Sequence, residues 1–173
     1  SRATIIINDD TENLNTTATQ ELRDKLQYKL GEQTHILIPG GSRLFVGTPH
    51  SHDSLYSKIK EMGANSFIRP MYSYSNRLEG VKKGKVYRLD MSEEDVSYDV
   101  FSGIGVNSSI PSYTIINNHI LFKEDYPLVD IYHSPLWEDR FTTEVMLQRR
   151  KECLSLNGWD SQYMLNSKPL GES

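Results

Sequence analysis

An α/β fold resting on a parallel sheet is what the first seventy residues predict, on two observations. Apolar stretches at 4–7, 43–46 and 66–69 alternate with helical patterns at 20–30 and 54–62. That β–α–β–α–β order belongs to parallel strands joined by crossovers. The first two strands also end in polar residues, Asp9-Asp10-Thr11-Glu12 and Gly47-Thr48-Pro49. Open parallel sheets bind ligands beyond the carboxyl ends of their strands, so the same pattern marks a candidate site.

The elements follow in order. Ile5, Ile6 and Ile7 make a β-branched run suited to a buried strand. Asn15, Thr16, Thr17 and Thr19 are N-cap candidates for a helix over 20–30. Leu22, Leu26 and Leu30 share one face of that helix, and Gly31 suits its stop. Ile36-Leu37-Ile38 either extends the helix or forms a short apolar segment before a turn at Pro39-Gly40-Gly41-Ser42. The strand at 43–46 precedes a helix carrying Leu55, Ile59 and Met62, ended by Gly63, and a third strand at 66–69 is closed by Pro70.

From Tyr72 the pattern changes. Residues 86–89, 96–101 and 113–122 read as strands separated by Gly, Asn and Ser, with Asn117-Asn118 as a hairpin tip. The tail is helical again. Thr142 or Thr143 caps a helix to about Leu154, Asn157-Gly158 stops it, and a shorter helix fits 160–165. The predicted division is 1–71 for the parallel α/β part, 72–127 for an antiparallel β insertion, 128–168 for a helical subdomain and 169–173 for a tail.

At 173 residues the chain has the size of one domain. Hydrophobic content of 37% and mean hydropathy of −0.54 indicate a soluble protein with a modest core. No apolar run approaches the roughly 20 residues that span a bilayer, so no membrane partner is expected. Ser1-Arg2-Ala3 does not open a charged-then-apolar leader, so no secretory signal is expected. Cys153, the single cysteine, permits no internal disulfide and fits a reducing cytoplasm.

The net charge of −4 excludes a chain that is basic throughout, so nucleic-acid contact would be local. Lys82, Lys83, Lys85 and Arg88 are the densest basic cluster and the DNA-binding candidates; Arg149, Arg150 and Lys151 form a second. Glu93, Glu94 and Asp95 follow the first cluster closely, as on an ordinary solvated face.

A rigid strand ending in an acid is the mount that a Mg²⁺-holding carboxylate needs. The order strand-Asp-Asp, helix, strand-Gly-Thr-Pro, helix fits the second half of a P-loop (ASCE) ATPase core, with ATP and Mg²⁺ as cofactors. In that reading Asp9 holds the metal, and Asp10 or Glu12 orients or deprotonates the attacking water. Gly47 and Thr48 meet the nucleotide, with Thr48 sensing the γ-phosphate and coupling its loss to movement.

Longer strings point to a family. Gly47-Thr48-Pro49, five residues, then Leu55-Tyr56 resembles the GTP-x₅-LY segment of phage terminase large subunits, also called DNA maturases. The lead-in Ile36 to Arg43 is similar to theirs, and Pro135-Leu136-Trp137-Glu138-Asp139-Arg140-Phe141 resembles their P-L-W-x-x-R-F string. Arg149-Arg150-Lys151-Glu152, with Gly158 through Gln162-Tyr163 to Asn166, is similar to the end of their ATPase region. The similarity covers about 1–72 and 120–168.

The resemblance implies an ATP-driven motor that threads double-stranded viral DNA into a procapsid. It also implies a homo-oligomeric ring, a portal and a small terminase subunit as partners, and the cytoplasm of an infected bacterial host as location. Three departures accompany it. No G-x-x-x-x-G-K-[ST] phosphate loop occurs, since Gly84-Lys85 lacks the spacing and the following hydroxyl. The usual Glu after the metal-binding Asp is Asp10, and no RNase H-like nuclease domain is expected within these 173 residues. In this ATPase class the strand feeding the phosphate loop is central. The expectation is therefore a piece of the core, inactive alone and completed by a segment or chain carrying the Walker A loop.

Other residues carry weaker signals. His50, His52 and Asp53 match no specific metal spacing, and His119 and His133 are isolated. Trp137 and Trp159 read as packing residues, while Arg43 and Arg140 are arginine-finger candidates as well as surface or packing residues. Two competing functions are a helicase-like P-loop translocase, whose later motifs are missing, and a non-enzymatic terminase-derived protein that binds DNA, portal or a partner chain.

Overall fold

The computed structural model describes residues 1–49, 54–73, 75–90 and 98–166. They form two compact units, Ser1–Ile68 with Asp160–Ser173, and Arg69–Trp159.

In the first unit, strand β1 (Ala3–Asp9) leads through the short helix α1 (Leu14–Thr17) into helix α2 (Gln20–Gly31). Strand β2 (Leu37–Val46) and helix α3 (Leu55–Glu61) follow. Local chemistry accounts for the helix starts. The Asn13 side chain accepts from Asn15 and Thr16 N–H in a capping box, Thr19 caps α2, and Ser54 caps α3. β1 and β2 pair in parallel, with Ile7 opposite Leu44 and Asp9 opposite Val46.

Three expectations for this unit need correction. The turn at 39–42 is a bulge inside one long strand: the register jumps from Ala3–Leu37 to Ile5–Ser42. Gly40 takes φ +79°, and a Cβ on Gly41 would lie 2.9 Å from the Thr4 carbonyl oxygen, so glycine lets the strand continue past the kink. No strand forms at 66–69, where the residues are exposed. A strand exists only as a pairing, and among the described residues the far edge of β2 takes no partner.

Nor is β1 buried on both sides. One face of the pair is covered: Asn8 and Gln33 exchange two amide hydrogen bonds (3.1 and 2.7 Å), and Arg43 donates to the Leu30 carbonyl at 2.8 Å, at the end of α2. The opposite face is bare, with Ile5 62%, Ile7 64%, Leu44 52% and Val46 48% exposed. Parallel sheets are ordinarily covered on both faces. Among the described residues of this unit, only Leu30 and Leu55 are fully buried hydrophobics.

The second unit is antiparallel. Strands β3 (Ser75–Val81), β8 (Tyr126–His133) and β5 (Tyr98–Ser102) form one sheet in that order; β4 (Val86–Arg88), β7 (His119–Phe122) and β6 (Tyr113–Ile116) form another. Val81, Leu89, Val100, Ile120, Phe122, Val129 and Ile131 make its core. The β6–β7 turn is the predicted hairpin tip, with Asn117 and Asn118 at φ 48° and 62°, a region that asparagine tolerates. Sequence patterning anticipates neither β3, which reads Ser-Asn-Arg-Leu-Glu-Gly-Val, nor the central strand β8, which runs across residue 128.

Helix α4 (Thr143–Glu152) starts at the Thr142 cap. Asn157 and Gly158 do not stop it but lie inside helix α5 (Leu156–Gln162), where Ser155 Oγ accepts the Gly158 N–H at 3.0 Å. Arg150 on α4 is wholly buried. It donates to Asp130 on β8 (2.7 Å) and to the Gly103 carbonyl (2.8 Å), and lies over the Trp159 ring. Arg77 on β3 holds the other Asp130 oxygen at 2.6 Å. Tyr132 stacks on Tyr72 at 4.3 Å and accepts the Trp159 indole N–H at 3.0 Å. Burial holds both phenols well above the ordinary tyrosine pKa.

Candidate functional site

The carboxyl ends of β1 and β2 lie side by side. The Asp10 N–H donates to the Val46 carbonyl at 2.8 Å, which carries the pairing one residue beyond β1. Asp10 then turns the chain sharply, at φ 51°. Left-handed backbone at a non-glycine residue costs on the order of 1 kcal/mol. Both Asp9 and Asp10 are exposed, and among the described residues neither carboxylate makes a hydrogen bond or ion pair.

Glu12 is different. It is buried, and its carboxylate accepts the Leu55 N–H at 2.6 Å, so it binds the first turn of α3. On the other side of the site, Gly47 opens the turn after β2, with Thr48 half-buried beside it. A Cβ on Gly47 would fall 2.0 Å from the Tyr56 hydroxyl oxygen. The glycine and the tyrosine of the GTP-x₅-LY string are thus in contact, which gives that spacing a physical reason. Burial raises the Tyr56 pKa.

Two exposed carboxylates at a strand end suit Mg²⁺ of the kind that keeps several waters and takes its remaining oxygens from substrate phosphates. They do not suit a metal held by protein alone: among the described residues, no three His, Cys, Asp or Glu side chains converge on one point. A groove of about 640 Å³ runs beside the Gly47 turn, lined by Phe45, Tyr56, Ile59 and Phe67 among others.

The remaining candidates are placed as follows. Lys82, Lys83 and Lys85 occupy the turn joining β3 to β4, and Arg88 ends β4; all four are exposed. Lys82 lies 3.9 Å from Asp125, which also accepts the Lys83 N–H, and Arg88 lies 4.0 Å from Asp90. These are solvated pairs of small energy. Arg43 is engaged by the Leu30 carbonyl and the Phe45 ring, and Arg140 lies over Trp137 and Phe141. His50, His52 and Asp53 lie outside the described residues.

Sequence reasoning assigned no role to Tyr56 or to the buried Asp130–Arg150 pair. A charged residue inside the apolar run of β8 was the available signal for the second. Tyr56 had none beyond its place in the string, because its contact with Gly47 is tertiary. Among the described residues no helix is long and apolar enough to cross a membrane. No family model matches the chain, and no curated protein matches it.

Proposed function

We propose that this chain is part of the ATP-hydrolysing motor that packages double-stranded viral DNA into procapsids, completed by a segment or chain carrying the phosphate loop. The observation that carries the reading is the juxtaposition of Asp9-Asp10 with Gly47-Thr48 at the end of a parallel strand pair. The bare β1/β2 face and the free edge of β2 add support, since a phosphate-loop strand and its helix would cover them.

Mg²⁺, when bound, would supply positive charge against the nucleotide phosphates. Asp9 contributes a carboxylate to it. Asp10, exposed and held in a strained turn, orients the attacking water. Glu12 would reach that water only by leaving the Leu55 N–H, so it serves the site by fixing α3. Thr48 reads the γ-phosphate. The exposed cations Lys82, Lys83, Lys85 and Arg88 suit contact with a DNA backbone, by charge and without base readout.

The deciding experiment measures Mg²⁺-dependent ATP hydrolysis by the chain alone and with a polypeptide bearing the phosphate loop. Hydrolysis is expected only in the mixture, and Asp9→Ala or Asp10→Ala abolishes it while leaving the fold intact. Robust turnover by the lone chain overturns the need for completion. A complex that forms but binds no nucleotide favours the second reading, a non-enzymatic terminase-derived protein contacting DNA, portal or a partner chain. The engagement of Glu12 on the Leu55 N–H is what favours that alternative.

A further inference from the structure

Helix α3 touches both halves of the candidate site through adjacent residues. Its Leu55 N–H is held by the Glu12 carboxylate at 2.6 Å, and its Tyr56 phenol fills the space a side chain at Gly47 would need. The Tyr56 hydroxyl also lies against the acidic turn, close enough to the Thr11 side chain and the Glu12 backbone for polar contact.

We propose that Tyr56 is a positioning residue through which α3 couples the Asp9–Glu12 turn to the Gly47–Thr48 turn. Displacing the Gly47 turn pushes the phenol. The phenol sits on the first turn of α3, whose leading N–H is tied to Glu12, so the displacement reaches the acidic turn. The use of this coupling, moving Thr48 when the γ-phosphate is lost, rests on the packaging-motor reading; the coupling itself belongs to the chain.

Amide NMR and hydrogen exchange on the intact chain test it without nucleotide. Glu12→Ala is expected to speed Leu55 amide exchange about tenfold, as loss of a local restraint does. It should also displace the Gly47 and Thr48 amide resonances. Tyr56→Leu should abolish that second effect, giving a non-zero double-mutant coupling. Gly47 and Thr48 resonances that ignore Glu12→Ala, or that still move in the Tyr56→Leu background, overturn the proposal.

Should Glu12→Ala fail to fold, the pair Gly47→Ala and Gly47→Ala/Tyr56→Phe gives the same reading. Removing the hydroxyl relieves the 2.0 Å contact and leaves the ring carbon at 2.8 Å. Leu55 protection should therefore fall in the single variant and partly return in the double; no return overturns the coupling. Failure of the motor reading shows separately, as absent ATP binding by the completed complex with these exchange results unchanged.

Discussion

Asp10 shows how a single dihedral angle separates a structural role from a functional one. At φ 51° it occupies a region that costs an L-residue about 1–2 kcal/mol and a glycine almost nothing. Glycine in turn loses about 0.5–1 kcal/mol more backbone entropy on folding. The balance predicts that Asp10→Gly stabilises the first unit by about 0.5 kcal/mol, whereas Asp10→Ala destabilises it by about 1 kcal/mol. Urea denaturation followed through β1 amides measures both. On the packaging-motor proposal, Asp10→Gly should nevertheless abolish ATP hydrolysis by the completed complex. A marked loss of stability in Asp10→Gly would mean that the carboxylate holds the turn together. Glu12, buried with its carboxylate on the Leu55 N–H, already does such structural work.

Among the elements, β8 and β1 depend on their neighbours in opposite ways. β8 runs between β3 and β5 and carries the buried Asp130, whose two oxygens are taken by Arg77 and Arg150. Removing one member of a buried pair leaves an uncompensated charge, at about 3–5 kcal/mol. Arg150→Ala should lower the stability of the second unit by that amount. Arg77→Ala should cost less, because that side chain is 26% exposed and water replaces part of its contact. Denaturation followed by the fluorescence of buried Trp159 provides the measurement; equal losses would show that exposure does not discriminate the two arginines. β1, by contrast, has one covered face and one bare face, and Ile5 and Ile7 on the bare face are more than half exposed.

For the molecule as a whole, the two units are unequally provided with core. The second has a continuous apolar cluster from Val81 to Ile131, while fully buried hydrophobics in the first are Leu30 and Leu55 among the described residues. Covering Ile5, Ile7, Leu44 and Val46 would contribute about 1.5–3 kcal/mol for each side chain fully buried, against a typical net stability of 5–15 kcal/mol. On the packaging-motor proposal, the polypeptide that covers this face carries the phosphate loop and should form a stable complex. It should raise protection of the β1 and β2 amides far more than that of β8. Sedimentation and hydrogen exchange test this together. A strictly monomeric chain whose β1 amides are already as protected as those of β8 would remove the need for a partner.

Much of the local organisation could be read from residue order. The Thr19 and Thr142 caps, the Asn117-Asn118 tip and the parallel partnership of β1 with β2 all depend on side chains near one another in sequence, or on a simple alternation. The candidate site as a list of Asp9, Asp10, Glu12, Gly47 and Thr48 is itself a reading of residue order, because those residues follow apolar strands. What tertiary structure decided was partnership. Strand β3 exists because β8 pairs with it, and the 66–69 stretch forms no strand because, among the described residues, it joins neither edge of the β1/β2 pair. Glu12 differs from Asp10 because Leu55, 43 residues away, presents an N–H to it. Tyr56 matters because Gly47 has no side chain where the phenol lies. Local sequence specifies backbone preference and hydrophobic period, whereas ladder pairing and the burial of a charge depend on groups that only the folded chain brings together.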